Sequence, residues 1–412
     1  MPRWLIAVAV VAVIAVVAFV AAGGDDGSGS GAAGGGDTVG VHLRALQRAA
    51  DEHGRTRAAG TPGDRATGAY IAGQLKAAGY RVSTESFPVP LYRELSPPKV
   101  VVGGRELKPI RTLQFSPSGS ATGRVRPVGL GCAARDYRAL RRGEIALARR
   151  GDCFFFLKAR AAERAGAAAM LVANDAPPPT PGSLFRLGPG IPAVGIGRDA
   201  ADGLAGRRAT VAVDADSQQR ETTNVIGEIG PADAPRVIMT GAHRDSVPAG
   251  PGMNDDGSGV VALLDIAGRI SADSLPPRSA FRVGFWGGEE LGLLGSRRYV
   301  NGLSEAERRR IAAYLNLDMV ASPGERAAVY DTDDRIEATY RRHLPPDAPE
   351  VRLEGDSDHA SFEAKDVPAG GIFTGLDDCY HRACDTIDNV DRRVLATSIR
   401  ATDQTLRDLL ER

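Results

Sequence analysis

From Asn224 onward, apolar runs of strand length alternate with helical patterns, and this alternation constrains the chain most. Val237-Ile238-Met239, Ala280 to Trp286 and Tyr314 to Met319 read as strands, and Gly257 to Ile270 and Glu290 to Val300 read as helices. Strands and helices in that order predict an α/β fold, a doubly wound, mostly parallel sheet covered on both faces. Ligands of such sheets lie beyond the carboxyl ends of the strands.

The rest of the chain divides around this core. Arg3 precedes an apolar run from Trp4 to Ala22, which reads either as a secretory signal or as a membrane anchor over residues 1–22. Both readings place the remainder outside the cytoplasm, extracellular or held at the outer face of the membrane by residues 4–22. Residues 23–37 are almost all small and read as a flexible linker. Val41 to Asp51 and Asp64 to Ala78 have helical spacing, with a turn at Gly60-Thr61-Pro62-Gly63, and Tyr80 to Phe87 reads as a strand. Prolines then cluster over 88–100, and short β-like runs with one helix, Phe155 to Ala165, continue to about Val213. The expected units are therefore a first part of the main domain at 38–95, a β-rich insertion at 96–215 and a second part at 216–412.

The chain carries 51 basic and 51 acidic residues, which argues against nucleic acid as a partner. Four cysteines in an exported chain favour two disulfides. Of the three pairings, the sequential one, Cys132–Cys153 with Cys379–Cys384, is the simplest, and no CxxC pair suggests a zinc finger. The Phe154-Phe155-Phe156 run reads as core.

Five segments carry chemistry: Gly241 to Asp245, Gly252 to Gly259, Trp286 to Glu290, Leu315 to Met319 and Asp378 to Asp385. Singly, each has an ordinary reading. Asp255-Asp256-Gly257 suits a helix cap, and Glu289-Glu290 suits a helix start. Asp318 between apolar residues is harder to dismiss, because a buried carboxylate requires a partner. Together they place histidines and carboxylates at successive strand ends, the donor set zinc accepts. With Asp255 as a shared bridge, His243 and Asp318 complete one site and Glu290 and His381 a second, the ions lying about 3.5–4 Å apart.

The stretches GAHxDSV, NDDGSG, WGGEELGLLGS, LNLDM and CYHxxCDT, in this order, resemble those of the secreted bacterial leucine aminopeptidase family, the co-catalytic dizinc aminopeptidases. The resemblance covers residues 38–95 and 220–412. It implies the ligand assignment above and two Zn2+ ions. It also implies Glu289 as general base, Tyr380 as an aid in polarising the scissile carbonyl, and peptides with a free N-terminus as substrates. Asp245 is expected to orient His243. Asp358 and His359 resemble a family motif near the site and are expected to support it rather than bind metal. The Cys379–Cys384 loop is expected to present Tyr380 and His381. Asp356 stands where the family often has arginine, and the link from Phe373 to Cys379 is shorter than in relatives. The insertion resembles a protease-associated (PA) domain through the Cys132, Cys153, Ala165–Asn174 and Ile191–Val194 stretches. A Ca2+ ion is compatible with this reading but has no assigned place, and a monomer is expected. The competing readings are a carboxypeptidase, dipeptidase or glutaminyl cyclase on the same fold, and a non-catalytic binding protein.

Overall fold

The computed structural model describes residues 37–179, 182–353 and 355–411. The expected signal or anchor at 1–22, and the linker apart from Asp37, lie outside the described residues. No helix among the described residues is long and apolar enough to cross a membrane.

Four parallel strands stand side by side in the order Ala369–Phe373, Ile311–Leu317, Arg236–His243 and Ser279–Trp286. The chain first lays down Arg236–His243, sets the next strand on one side of it, then crosses to set Ile311–Leu317 on the other. That reversal opens a crevice at the carboxyl end of Arg236–His243, the place where doubly wound sheets bind ligands. Antiparallel neighbours, Arg208–Ile229 on one flank and Ala328–Tyr330 on the other, make the sheet mixed.

Both faces are covered. Ile238, Ala242, Phe281 and Leu315 pack beneath the helices Thr38–Asp51, Gly257–Ala267 and Arg392–Glu411. Met239, Trp286 and Tyr314 point the other way, against Phe362 and Val300. Two-sided burial explains why these strands read as near-continuous apolar runs. Gly241 is required by close approach, since a Cβ there would lie 2.2 Å from the Tyr314 hydroxyl.

The insertion has its own parallel ladder, Gly119–Pro127, Ile145–Arg149, Ala169–Ala173 and Ala193–Ile196. Two long antiparallel strands, Arg81–Val102 and Arg208–Ile229, join it to the main sheet. The expected strand Tyr80 to Phe87 is thus only the start of a much longer one. Prolines 88 and 90 do not end it, because Arg81–Val102 has a long-strand neighbour on one side only, and prolines 97 and 98 fall in the unpaired stretch between Ser96 and Lys99. A missing N–H does no harm on an unpaired edge. The ladder shifts register between Glu94 and Ser96 and again before Lys99.

Two local expectations are corrected. The helix expected from Glu290 begins at Leu294. Gly292 and Leu293 adopt positive φ, so Glu289 and Glu290 lie on a turn rather than in the first helical turn. In the phenylalanine run, Phe155 and Phe156 pack against the insertion's core, but Phe154 is 68% exposed. Both disulfides form in the sequential pairing.

Candidate active site

Each of the four parallel strands delivers side chains to the crevice. His243 ends its strand, and Asp255 follows on the turn into Gly257–Ala267. Glu289 and Glu290 follow Ser279–Trp286, Asp318 follows Ile311–Leu317, and His381 lies beyond Ala369–Phe373. The side chains converge. His243 Nε2 lies 3.1 Å from Asp255 Oδ1, 3.6 Å from Asp318 Oδ1 and 3.9 Å from Glu289 Oε2. His381 Nε2 lies 3.1 Å from Asp255 Oδ2 and 3.1 Å from Glu290 Oε2. Asp255 therefore turns one oxygen to each histidine. Two groups result, His243/Asp255/Asp318 and Asp255/Glu290/His381, with the ligand atoms of each within 4.8 Å of one another.

The electrostatics of these groups favour positive charge at this place. Burial, reinforced by Asp358, Asp318 and Glu290, pushes Glu289 well above the ordinary carboxyl range against the opposing pull of His243. Burial and Asp255 push Glu290 up to about 7, and burial takes Asp358 to about 7 and Asp245 to about 6. Asp255 falls below its ordinary range despite burial, because both histidines hydrogen-bond it. His381 opposes its own burial through Asp255 and Glu290 and rises to about 10. Carboxyls and imidazoles crowded in this way hold protons that divalent cations displace. The donor set of imidazole nitrogen and carboxylate oxygen fits zinc, with three protein ligands per group and room for a further ligand. Glu290 Oε1 has no hydrogen-bond partner among the described residues, as fits an atom free for a cation.

Surrounding residues hold these groups in place. Asp385 accepts from the backbone N–H of Asn254 at 2.8 Å and of Asp255 at 3.0 Å, fixing the bridging turn. Asp256 caps the following helix through the Gly259 N–H at 2.8 Å. Asp245 reaches His243 mainly through its backbone, its carboxylate Oδ1 lying 3.9 Å from Nδ1. Its backbone carbonyl, not its carboxylate, lies 3.2 Å from His243 Nδ1, and its carboxylate instead accepts from the Glu289 N–H at 3.2 Å. In the segment that holds Asp358 and His359, Ser357 is the residue that reaches a ligand, donating to Asp318 Oδ2 at 2.6 Å. His359 turns away to the Leu353 carbonyl at 3.0 Å and joins neither metal group, while Asp358 is buried near Glu289. Tyr380 stacks on the His381 ring, the centroids 3.8 Å apart. Asp356 is exposed.

Two buried cations have no sequence signature. Arg57 donates to the carbonyls of Arg244, Pro251 and Gly252, clamping the loop between His243 and Asp255. Arg244 pairs with Asp64 at 2.6 Å, both side chains fully buried. Arg57, two residues after Arg55 in a loop of mostly small residues, carries no periodicity, and only the assembled loop shows what it does.

A cleft of about 420 Å³ leads from Glu290 and His381 to Phe115 and Phe185 of the insertion.

Comparison with known proteins accords with this geometry. Residues 224–405 match the family described as Peptidase family M28, and residues 121–204 match the PA domain. A probable lipoprotein aminopeptidase, LpqL, of Mycobacterium tuberculosis is 32% identical over 87% of this chain and 82% of its own length. The chain belongs to peptidase family M28. Two solved structures match over most of the chain. An aminopeptidase from Aneurinibacillus sp. strain AM-1 has a TM-score of 0.73 at 29% identity, covering 90% of this chain and 93% of that one. A zinc aminopeptidase from Bacillus subtilis, BSAP, has a TM-score of 0.66 at 26% identity, covering 89% and 95%.

Proposed function

We propose that this M28 peptidase removes N-terminal residues from peptides, using two zinc ions held by His243, Asp255 and Asp318 and by Asp255, Glu290 and His381. The observation that carries the reading is the bridging carboxylate, since the two Asp255 oxygens each lie 3.1 Å from a different histidine.

Bound zinc supplies a Lewis acid and lowers the pKa of a water toward about 7. The protein's own groups do the rest. Glu289, buried 3.9 Å from His243 Nε2, takes the proton of the attacking water and returns it to the departing amine. Tyr380, held by its stack on His381, donates its hydroxyl proton as a hydrogen bond to the oxyanion. The carboxylates beyond the ligand positions attract the substrate α-ammonium, which selects a free N-terminus. Asp245 ties the turn of Glu289 to the loop of His243. The Cys379–Cys384 link holds the loop that carries Tyr380 and His381. We place the enzyme outside the cytoplasm, secreted or held by residues 4–22, and acting as a monomer.

The test pairs chemistry with stoichiometry. The purified protein is expected to contain two zinc ions, to cleave leucine p-nitroanilide, and to leave its N-acetylated counterpart intact. Preferential cleavage of the blocked substrate overturns the reading.

A further inference from the structure

The active-site cleft is polar at one end and apolar at the other. Asp245, Glu290 and His381 line the first end, and Leu91, Leu291, Phe115 and Phe185 line the second. The apolar end is built jointly: Leu91 and Leu291 come from the main domain's flank, whereas Phe185 lies in the stretch that matches the PA domain and Phe115 shortly before it. Phe185 is 65% exposed, although large aromatic side chains are mostly buried. It is not loosely placed. Its ring meets the exposed Phe154 edge to face at a centroid distance of 6.3 Å, and its backbone N–H donates to Ser183 Oγ at 2.8 Å. Phe115 and Phe185 both adopt positive φ, 66° and 61°, a region that aromatic residues enter rarely. Phe115 is braced by the Tyr92 ring at 5.6 Å.

We propose that Phe185, with Phe115, Leu91 and Leu291, forms a specificity site for large apolar side chains just beyond the scissile bond, and that the insertion thereby selects the leaving peptide. This rests on the aminopeptidase reading above. An exopeptidase holds the α-ammonium among its carboxylates, so the remainder of the substrate must leave along a continuous channel, and this cleft is continuous with the ligand residues Glu290 and His381. Its volume lies in the range of pockets that enclose small ligands. An apolar wall with an edge-to-face aromatic pair favours aromatic and branched aliphatic side chains and gives glycine nothing to hold. Phe154, which is not core, supports Phe185 from behind.

The test uses the zinc-loaded enzyme with three free-amine substrates: Leu-Phe-Phe, Leu-Gly-Gly and leucinamide, whose leaving group is too small to reach the apolar end of the cleft. Wild type is expected to favour Leu-Phe-Phe over Leu-Gly-Gly by at least about tenfold in kcat/KM, in the range of apolar side-chain discrimination. Phe185→Ala removes an exposed side chain, so folding is spared. It is expected to bring that ratio close to one while leaving leucinamide turnover within about twofold, and Phe185→Leu to restore most of the preference. A ratio unchanged by Phe185→Ala overturns the inference, as does an equal fall on all three substrates. Failure of the wild type to cleave any of the three removes the aminopeptidase reading, and this inference with it.

Discussion

Replacing Arg57 with methionine keeps most of the side-chain volume and removes the guanidinium that bonds three carbonyls, those of Arg244, Pro251 and Gly252. Hydrogen bonds to a charged donor contribute about 1.5–3 kcal/mol each, so the three together contribute on the order of 5 kcal/mol. The guanidinium also faces carboxylates, including Asp256, Asp385, Asp245 and Asp255, which offset part of its burial. A loss of that size is a large share of a typical stability of about 5–15 kcal/mol. With a urea m-value near 3 kcal/mol/M, the midpoint falls by about 1.5 M. Fluorescence of Trp286, fully buried in the main sheet, reports the transition. Arg57→Lys keeps the charge, but one ammonium cannot span three carbonyls, so it falls between wild type and Arg57→Met. Zinc affinity drops alongside stability, because the clamped loop separates His243 from Asp255. An Arg57→Met midpoint within about 0.3 M of wild type, roughly 1 kcal/mol on the same slope, refutes the reasoning.

Glu289→Ala retains both zinc ions by elemental analysis and loses about 10²–10⁴-fold in kcat, the share general base catalysis commonly supplies. Chelation abolishes turnover and added zinc restores it; Asp255→Asn weakens both ions, whereas Asp318→Asn weakens one, as two-phase zinc titration will show. Replacing Cys379 and Cys384 with serine costs about 2 kcal/mol, the modest loss expected for so short a loop, and loosens the ion near His381 by about 10–100-fold. Glu144, whose pKa the Arg126 guanidinium and the Arg141 N–H hold to about 2, adds stability that is present above about pH 4.5 and lost as pH falls through 2. The deficit of Glu144→Gln, measured on metal-free protein, therefore narrows between those values, and a deficit constant over that interval counts against the pairing.

The sheet and the metal groups were legible because their signals are local and repeated. Val237 to Met239 and Ala280 to Trp286 are largely apolar runs, and His243, Glu289, Glu290 and Asp318 follow such runs within a few residues, while Asp255 and His381 sit in motifs of their own. Arg57, Ser357 and Asp385 were less legible as supports, because each acts through a backbone group or one ligand oxygen that only the folded chain brings near. The extent of Arg81–Val102 was hidden by its prolines, whose meaning depends on whether an edge is paired. The start of Leu294–Gly302 was hidden because Glu289-Glu290 suits a helix start equally well, and the positive φ of Leu293 has no sequence marker. The long helix Arg392–Glu411 is amphipathic and was readable in principle, but it bears none of the motifs that drew attention to the rest.

The two long strands couple the insertion to the metal centre more tightly than a linker could. They run antiparallel from Arg81 opposite Glu228 to Val102 opposite Ala209, so the insertion is carried on a twisted ribbon rather than a hinge. Side chains along such a ribbon alternate between faces with a period of two. Adding or deleting matched pairs of residues in both strands would move the aromatic rim outward or inward by about 7 Å per step while keeping every face in place. The ribbon's length would then set how far the aromatic rim stands from the two groups of candidate ligands.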